Sequence, residues 1–232
     1  MRNIVTPQVA VSLAFLLSGS VTWAGAVIYS DFGPGFASES TTNGPGWCVT
    51  GNTTPNCGPM TDRWIAAPFT PSSTSTLQQL DLALGYSSGT SAAVIDLVND
   101  AGGLPGTSVL ESWTPAGLTT NCFDCATPLV TLPSTGGVVL NGGTRYWVLA
   151  KGAAPDTLDF WWGNTLGLSG TFSSLNDGAS WFLQPGGAGT LTAFDAIATA
   201  PEPWSLPMVG AGFVVMLALR ASRRSTCSSQ EK

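Results

Sequence analysis

Leu77-Gln-Gln-Leu80-Asp-Leu82-Ala-Leu84-Gly-Tyr86 is the stretch on which the fold turns. Leu80, Leu82, Leu84 and Tyr86 recur at every second position with Asp81 between them, which is the alternation of a half-buried strand and not the 3.6-residue spacing of a helix. The next segment, 92–98, repeats the pattern. Ile95 and Leu97 share one face, Val94 and Asp96 the other, and Asn99-Asp100-Ala101-Gly102-Gly103 closes the segment as a turn. Further strands are expected at 27–32, 63–69, 108–114, 129–132, 138–140, 145–150, 158–162, 181–183 and 191–197. Short strands punctuated by Gly, Pro and Asn, with no run of helical periodicity, predict an all-β fold: an antiparallel two-sheet sandwich, jelly-roll-like, with its first and last strands adjacent.

The two ends of the chain read differently. Residues 1–26 have the plan of a secretory signal peptide: Arg2, an apolar core at 9–17, and the small residues Ala24-Gly25-Ala26 as an A-x-A cleavage site, with a cut after Ala24 as the alternative. At the other end, residues 204–219 are sixteen uncharged positions. As a helix they would reach about 24 Å, a little short of a bilayer core, with Trp204 and the arginines anchoring the two interfaces. Arg220, Arg223 and Arg224 follow as a basic stop, placing the tail in the cytoplasm and the rest outside. The order of Pro201-Glu202-Pro203, apolar helix and basic tail resembles the PEP-CTERM sorting signal of Gram-negative bacteria. The resemblance covers about the last thirty residues, 199–232. It implies an exosortase-type transpeptidase as partner, an inner-membrane-anchored precursor, and delivery to the cell surface or extracellular matrix. The ordinary alternative is a single-pass anchor with an incidental Pro-Glu-Pro.

Between the ends, residues 27–198 form one expected domain. Its cations are Arg63, Arg145 and Lys151, against twelve carboxylates, a balance that argues against nucleic acid and anionic lipid as main partners. The domain resembles the choice-of-anchor modules found beside PEP-CTERM signals. The likeness rests on Tyr29-Ser-Asp-Phe-Gly-Pro-Gly35, residues 80–86, Gly102-Gly-Leu-Pro-Gly106 with Leu110-Glu-Ser-Trp113, and Gly143-Thr-Arg-Tyr-Trp147. It implies a domain type and carries no catalytic residue across.

Four of the five cysteines fall in the exported region, where thiols oxidise. Three connectivities are open. Proximity in sequence favours Cys48 with Cys57 and Cys122 with Cys125, each pair expected in a loop. A thioredoxin-like Cys122-Phe-Asp-Cys125 would need a helix signal that its flanks lack, and a four-thiolate zinc site would need reduced thiols.

Signals of chemistry are sparse. The chain has no histidine, which removes Ser-His-Asp triads, Cys-His dyads and His-bearing metal sites. Paired carboxylates could still serve a glycan hydrolase, with Asp81 and Asp96 on neighbouring strands or Asp156 and Asp159 as candidates, although Asp81 and Asp96 are expected to face solvent. Asn99 and Asp100 are weak calcium candidates, since Asx residues in turns usually satisfy their own backbone. For sugar binding the candidates are Trp47 and Trp181 on loops and whichever of Trp161 and Trp162 points outward; Trp64 and Trp147 are expected in the core. The favoured reading is an exported structural or interaction protein that is not an enzyme and needs no cofactor. The alternative is a carbohydrate-binding module in an exopolysaccharide matrix.

Overall fold

The computed structural model describes residues 25–35, 46–54, 57, 62–121, 129–184 and 190–199. Among these residues the chain is all-β: fourteen strands, numbered in chain order, form three antiparallel sheets, and no α-helix is present. The five-stranded sheet runs β1 (Ala26–Ser30), β14 (Phe194–Ala198), β4 (Ser75–Leu82), β8 (Val130–Pro133), with β9 (Val139–Leu140) also on β4. The six-stranded sheet runs β13 (Phe182–Leu183), β12 (Phe172–Ser174), β3 (Trp64–Phe69), β10 (Tyr146–Gly152), β6 (Ala93–Asp100), β7 (Pro105–Trp113). The small sheet runs β2 (Gly46–Thr50), β11 (Leu158–Trp162), β5 (Leu84–Ser88).

One core joins the two large sheets. Leu80, Leu82, Leu132, Phe194 and Ala196 from the first, and Ile65, Ala67, Ile95, Leu97, Val148 and Ala150 from the second, belong to a single apolar cluster. Every one of these positions alternates with an outward residue, as period-two patterning requires. Aromatic rings stitch the layers at one end: Phe69 of β3 meets Tyr29 of β1 at 5.4 Å, Phe194 of β14 at 5.5 Å and Tyr146 of β10 at 5.9 Å. Edge β7 is tied to edge β8 by side chains. Glu111 accepts from Ser134 Oγ and from the amides of Thr135 and Gly136, while Trp113 Nε1 donates to the Pro133 carbonyl.

The deciding stretch does not form a single strand. It breaks at Ala83, where three segments meet in a closed cycle of backbone hydrogen bonds: Ala83 N to Ala193 O (3.1 Å), Ala193 N to Trp162 O (2.8 Å), and Trp162 N to Ala83 O (2.9 Å). Ala83 thus carries the chain from the five-stranded sheet into the small one. Its fully buried methyl, with Ala193, Trp162 and Phe32, forms a second apolar cluster. The expected adjacency of first and last strands is present, Ala26 pairing with Ala198 and Val27 with Ile197. Two strands were not foreseen, β2 and β12. Cys48 therefore lies within a strand, paired to Phe160 of β11, and not in a loop.

Candidate functional site

Cys48 and Cys57 are disulfide-bonded, with Cα atoms 6.3 Å apart, so the bridge pins the middle of β2 to the segment after it. Cys122 and Cys125 lie outside the described residues, as do Pro201, Glu202, Pro203, Arg220, Arg223, Arg224, the apolar tract at 204–219 and residues 1–24. No described helix is long and apolar enough to cross a membrane.

The tryptophans are oriented by packing. Trp161 projects into the core between the sheets, fully buried, its indole N–H donating to the Ala193 carbonyl at 3.0 Å. Trp162, on the opposite face, is also buried, at 2% exposure, and donates to Asn121 Oδ1 at 2.7 Å. The expectation that one of this pair points outward is therefore corrected: alternation sends them to opposite faces, and both faces are covered. Trp47 lies on β2 and not on a loop. It is half-buried against the core and donates to the Thr190 carbonyl at 2.8 Å. Trp181 is half-buried with Phe172 against Ala66, Val98, Trp147 and Leu149, a cluster on the outer side of the six-stranded sheet. Trp147 belongs to that outer cluster and not to the space between the sheets. Trp64 is half-buried, with the Lys151 ammonium 4.9 Å from its ring centroid.

Asp81 and Asp96 are on the faces that parity assigns, opposite the leucines, but neither faces solvent, each being about 4% exposed. Asp81 accepts from both Gln79 Nε2 and Thr131 Oγ1. Asp96 is ion-paired with Lys151 and accepts from Ser112 Oγ at 2.6 Å. They do not lie on neighbouring strands: β4 belongs to the five-stranded sheet and β6 to the six-stranded one, and both side chains point away from the shared core. Asp156 and Asp159 are likewise apart in environment. Asp156 sits in an exposed turn, accepting from Thr90 Oγ1 at 2.7 Å. Asp159 pairs with Val49 across β2 and shares the core side of β11 with Trp161; it is fully buried and neither carboxyl oxygen has a hydrogen-bond partner. Burial pushes its pKa up to about 8.

Two carboxyls that the sequence did not single out are also buried, each with hydrogen-bond partners. Asp31, fully buried, accepts from the Phe194 amide at 2.6 Å and from Tyr29 Oη at 3.3 Å; burial raises its pKa to about 8 against those two bonds. Asp195 lies directly opposite Asp81 across β14 and β4. Its pKa is raised, chiefly by burial and further by the Asp81 charge, with a Ser30 hydrogen bond opposing. Two facing carboxyls are the raw material of acid–base catalysis. Here both are almost wholly enclosed, at 3% and 4% exposure, so a sugar ring has no approach to them. The period-two pattern of Ala193-Phe-Asp-Ala-Ile197 was the available signal for Asp195, since it sets Asp195 opposite the core-facing Phe194 and Ala196.

The side-chain oxygens of Asn99 and Asp100 accept from the turn and from the strands beside it. Asn99 Oδ1 accepts from the Ser108 amide, Asp100 Oδ2 from the Gly103 amide and Asp100 Oδ1 from Trp147 Nε1. Gly102 and Gly103 supply the positive φ that the reversal needs, +70° and +92°. Among the described residues no group of three or more Asp, Glu, Cys or His side chains is disposed to hold a metal ion. No protein-family model matches this chain, and no curated protein matches it at a significant level.

Proposed function

We propose that this chain is an exported structural or interaction protein, sorted through a PEP-CTERM signal by an exosortase-type transpeptidase to the cell surface or extracellular matrix. Its body is a jelly-roll-like two-sheet sandwich, held by one transmembrane helix at 204–219 until that segment is cut away. The observation that carries the reading is the pairing of Ala26 with Ala198, which brings the exits toward the apolar tract at 9–17 and toward Pro201 to one end of one sheet. A domain tethered first by its leader and then by its tail gains from having both at one pole. The Cys48–Cys57 bridge suits an oxidising compartment and adds support. Sugar recognition is not favoured, because Trp161 and Trp162 are enclosed. The test is mass spectrometry of the surface-delivered protein from a Gram-negative host that has an exosortase. A mature C-terminus near Pro201 is expected, together with mislocalisation of Glu202→Ala; a surface form still carrying Lys232 would refute cutting.

A further inference from the structure

Ser30, Asp195, Asp81 and Thr131 form one row across β1, β14, β4 and β8: Ser30 pairs with Asp195, Asp195 with Asp81, and Asp81 with Thr131. The row lies on the outer face, because Phe194, Ala196, Leu80, Leu82 and Leu132 take the core side. Its two carboxyls are served unequally. Asp81 is oriented by Gln79 Nε2, which donates to both of its oxygens, and by Thr131 Oγ1, which donates to Oδ1; Oδ2 keeps a second lone pair. Asp195 takes a hydrogen bond from Ser30, yet its Oδ1 is buried without any partner in a side chain only 3% exposed. The Asp81 charge adds to burial in raising the Asp195 pKa. The three Lys and Arg side chains among the described residues are engaged elsewhere: Lys151 with Asp96, Arg145 near Asp100, and Arg63 beside Thr50 at the start of β3. Directly opposed Cβ atoms stand about 5 Å apart, so a cation with metal–oxygen distances of about 2.4 Å reaches oxygens on both aspartates. Oxygen donors without nitrogen or sulfur suit calcium over transition metals, and side chains fixed on strands suit its flexible shell better than the strict octahedron of magnesium. Ser30 and Thr131, at the two ends of the row, are exposed, so a site too enclosed for a sugar ring still lies within reach of an ion from solvent.

We propose that Asp195 Oδ1, Asp81 Oδ2 and Ser30 Oγ bind one calcium ion on the outer face of the five-stranded sheet, with water completing its shell. Thermal unfolding of the detergent-solubilised full chain, stripped with EDTA and titrated with CaCl2 alone at fixed ionic strength, tests it. Tm should begin to rise at about 0.1–1 mM calcium, the range of extracellular calcium modules, and gain a few degrees by about 10 mM. Asp195→Asn keeps the shape of the side chain and removes its charge, and the rise should vanish. Ser30→Ala, at an exposed edge position, keeps the proposal open to refutation should that variant not fold: it should move the onset to calcium concentrations at least about threefold higher. No rise in the parent overturns the proposal, which is the result expected if the two carboxyls share a proton instead. A rise of equal size with MgCl2, or one that Asp195→Asn or Ser30→Ala leaves unchanged, overturns it too. A rise lost in Asp100→Asn and kept in Asp195→Asn would put the ion at the turn after β6 and likewise overturn it.

Discussion

Asp159 is a carboxyl with no partner inside an apolar core, and its consequence is a pH dependence of stability. Asp159 and Asp31 both hold their protons up to about pH 8 in the folded chain, against about 4 when unfolded. The folded state therefore binds more protons across that window. Stability is greatest below about pH 4 as far as these two groups decide it, and it declines as pH rises toward 8. Asp159→Asn removes one titration, so the decline between these limits should lessen by up to about 1.4 kcal/mol per pH unit, read from urea unfolding at a series of pH values. Glu111 is the opposite case, a half-buried carboxylate with three donors that tie β7 to the segment after β8. Glu111→Ala should cost about 2 kcal/mol at neutral pH in the same assay, with Glu111→Gln recovering part of it. At this scale the sequence told which side of a strand each carboxyl occupies and not what lies over that side. Parity put Asp81 and Asp96 opposite the leucines correctly. Their burial depends on Ser112 of the following strand and on Thr131 and Lys151, which come from strands distant in sequence.

Among the elements, those with their own periodic pattern were legible and those made by distant pairing were not. β4 and β6 carry alternating apolar residues, β10 a continuous apolar run from Tyr146 to Ala150, and all three were foreseen. β2 reads locally as part of a Gly- and Asn-rich loop, and it is a strand because β11, over a hundred residues later, pairs with it from Trp162 to Leu158. β12 consists of Phe172, Ser173 and Ser174; its two serines are fully buried, with Ser173 bonded to the Gln184 amide and Ser174 Oγ to Asn176. No hydrophobic alternation announces such a strand. The break at Ala83 was equally hidden, because its cause is the hydrogen-bond cycle with Ala193 and Trp162. Ala83→Val pushes two methyls into that junction and should destabilise the domain by about 1–3 kcal/mol in thermal or urea unfolding. The bridge from the middle of β2 closes a loop of about ten residues, and its removal by Cys48→Ser with Cys57→Ser should cost about 2.5 kcal/mol.

For the whole molecule, the all-β character was readable because strand length and turn spacing are local properties, whereas the meeting of first and last strands was expected from the sandwich class and not from either segment. The bending of one sheet's strands into a third sheet was not, since that depends on three segments converging. The pairing of Ala26 with Ala198 has one more outcome. A domain whose first and last strands lie side by side is topologically close to a ring, so where its polypeptide starts is nearly arbitrary with respect to the core. A circular permutant that joins 199 to 25 through a short Gly-Ser bridge and opens at the exposed reversal Ala101-Gly102 should fold with the parent's disulfide intact and lose only a few kcal/mol at most.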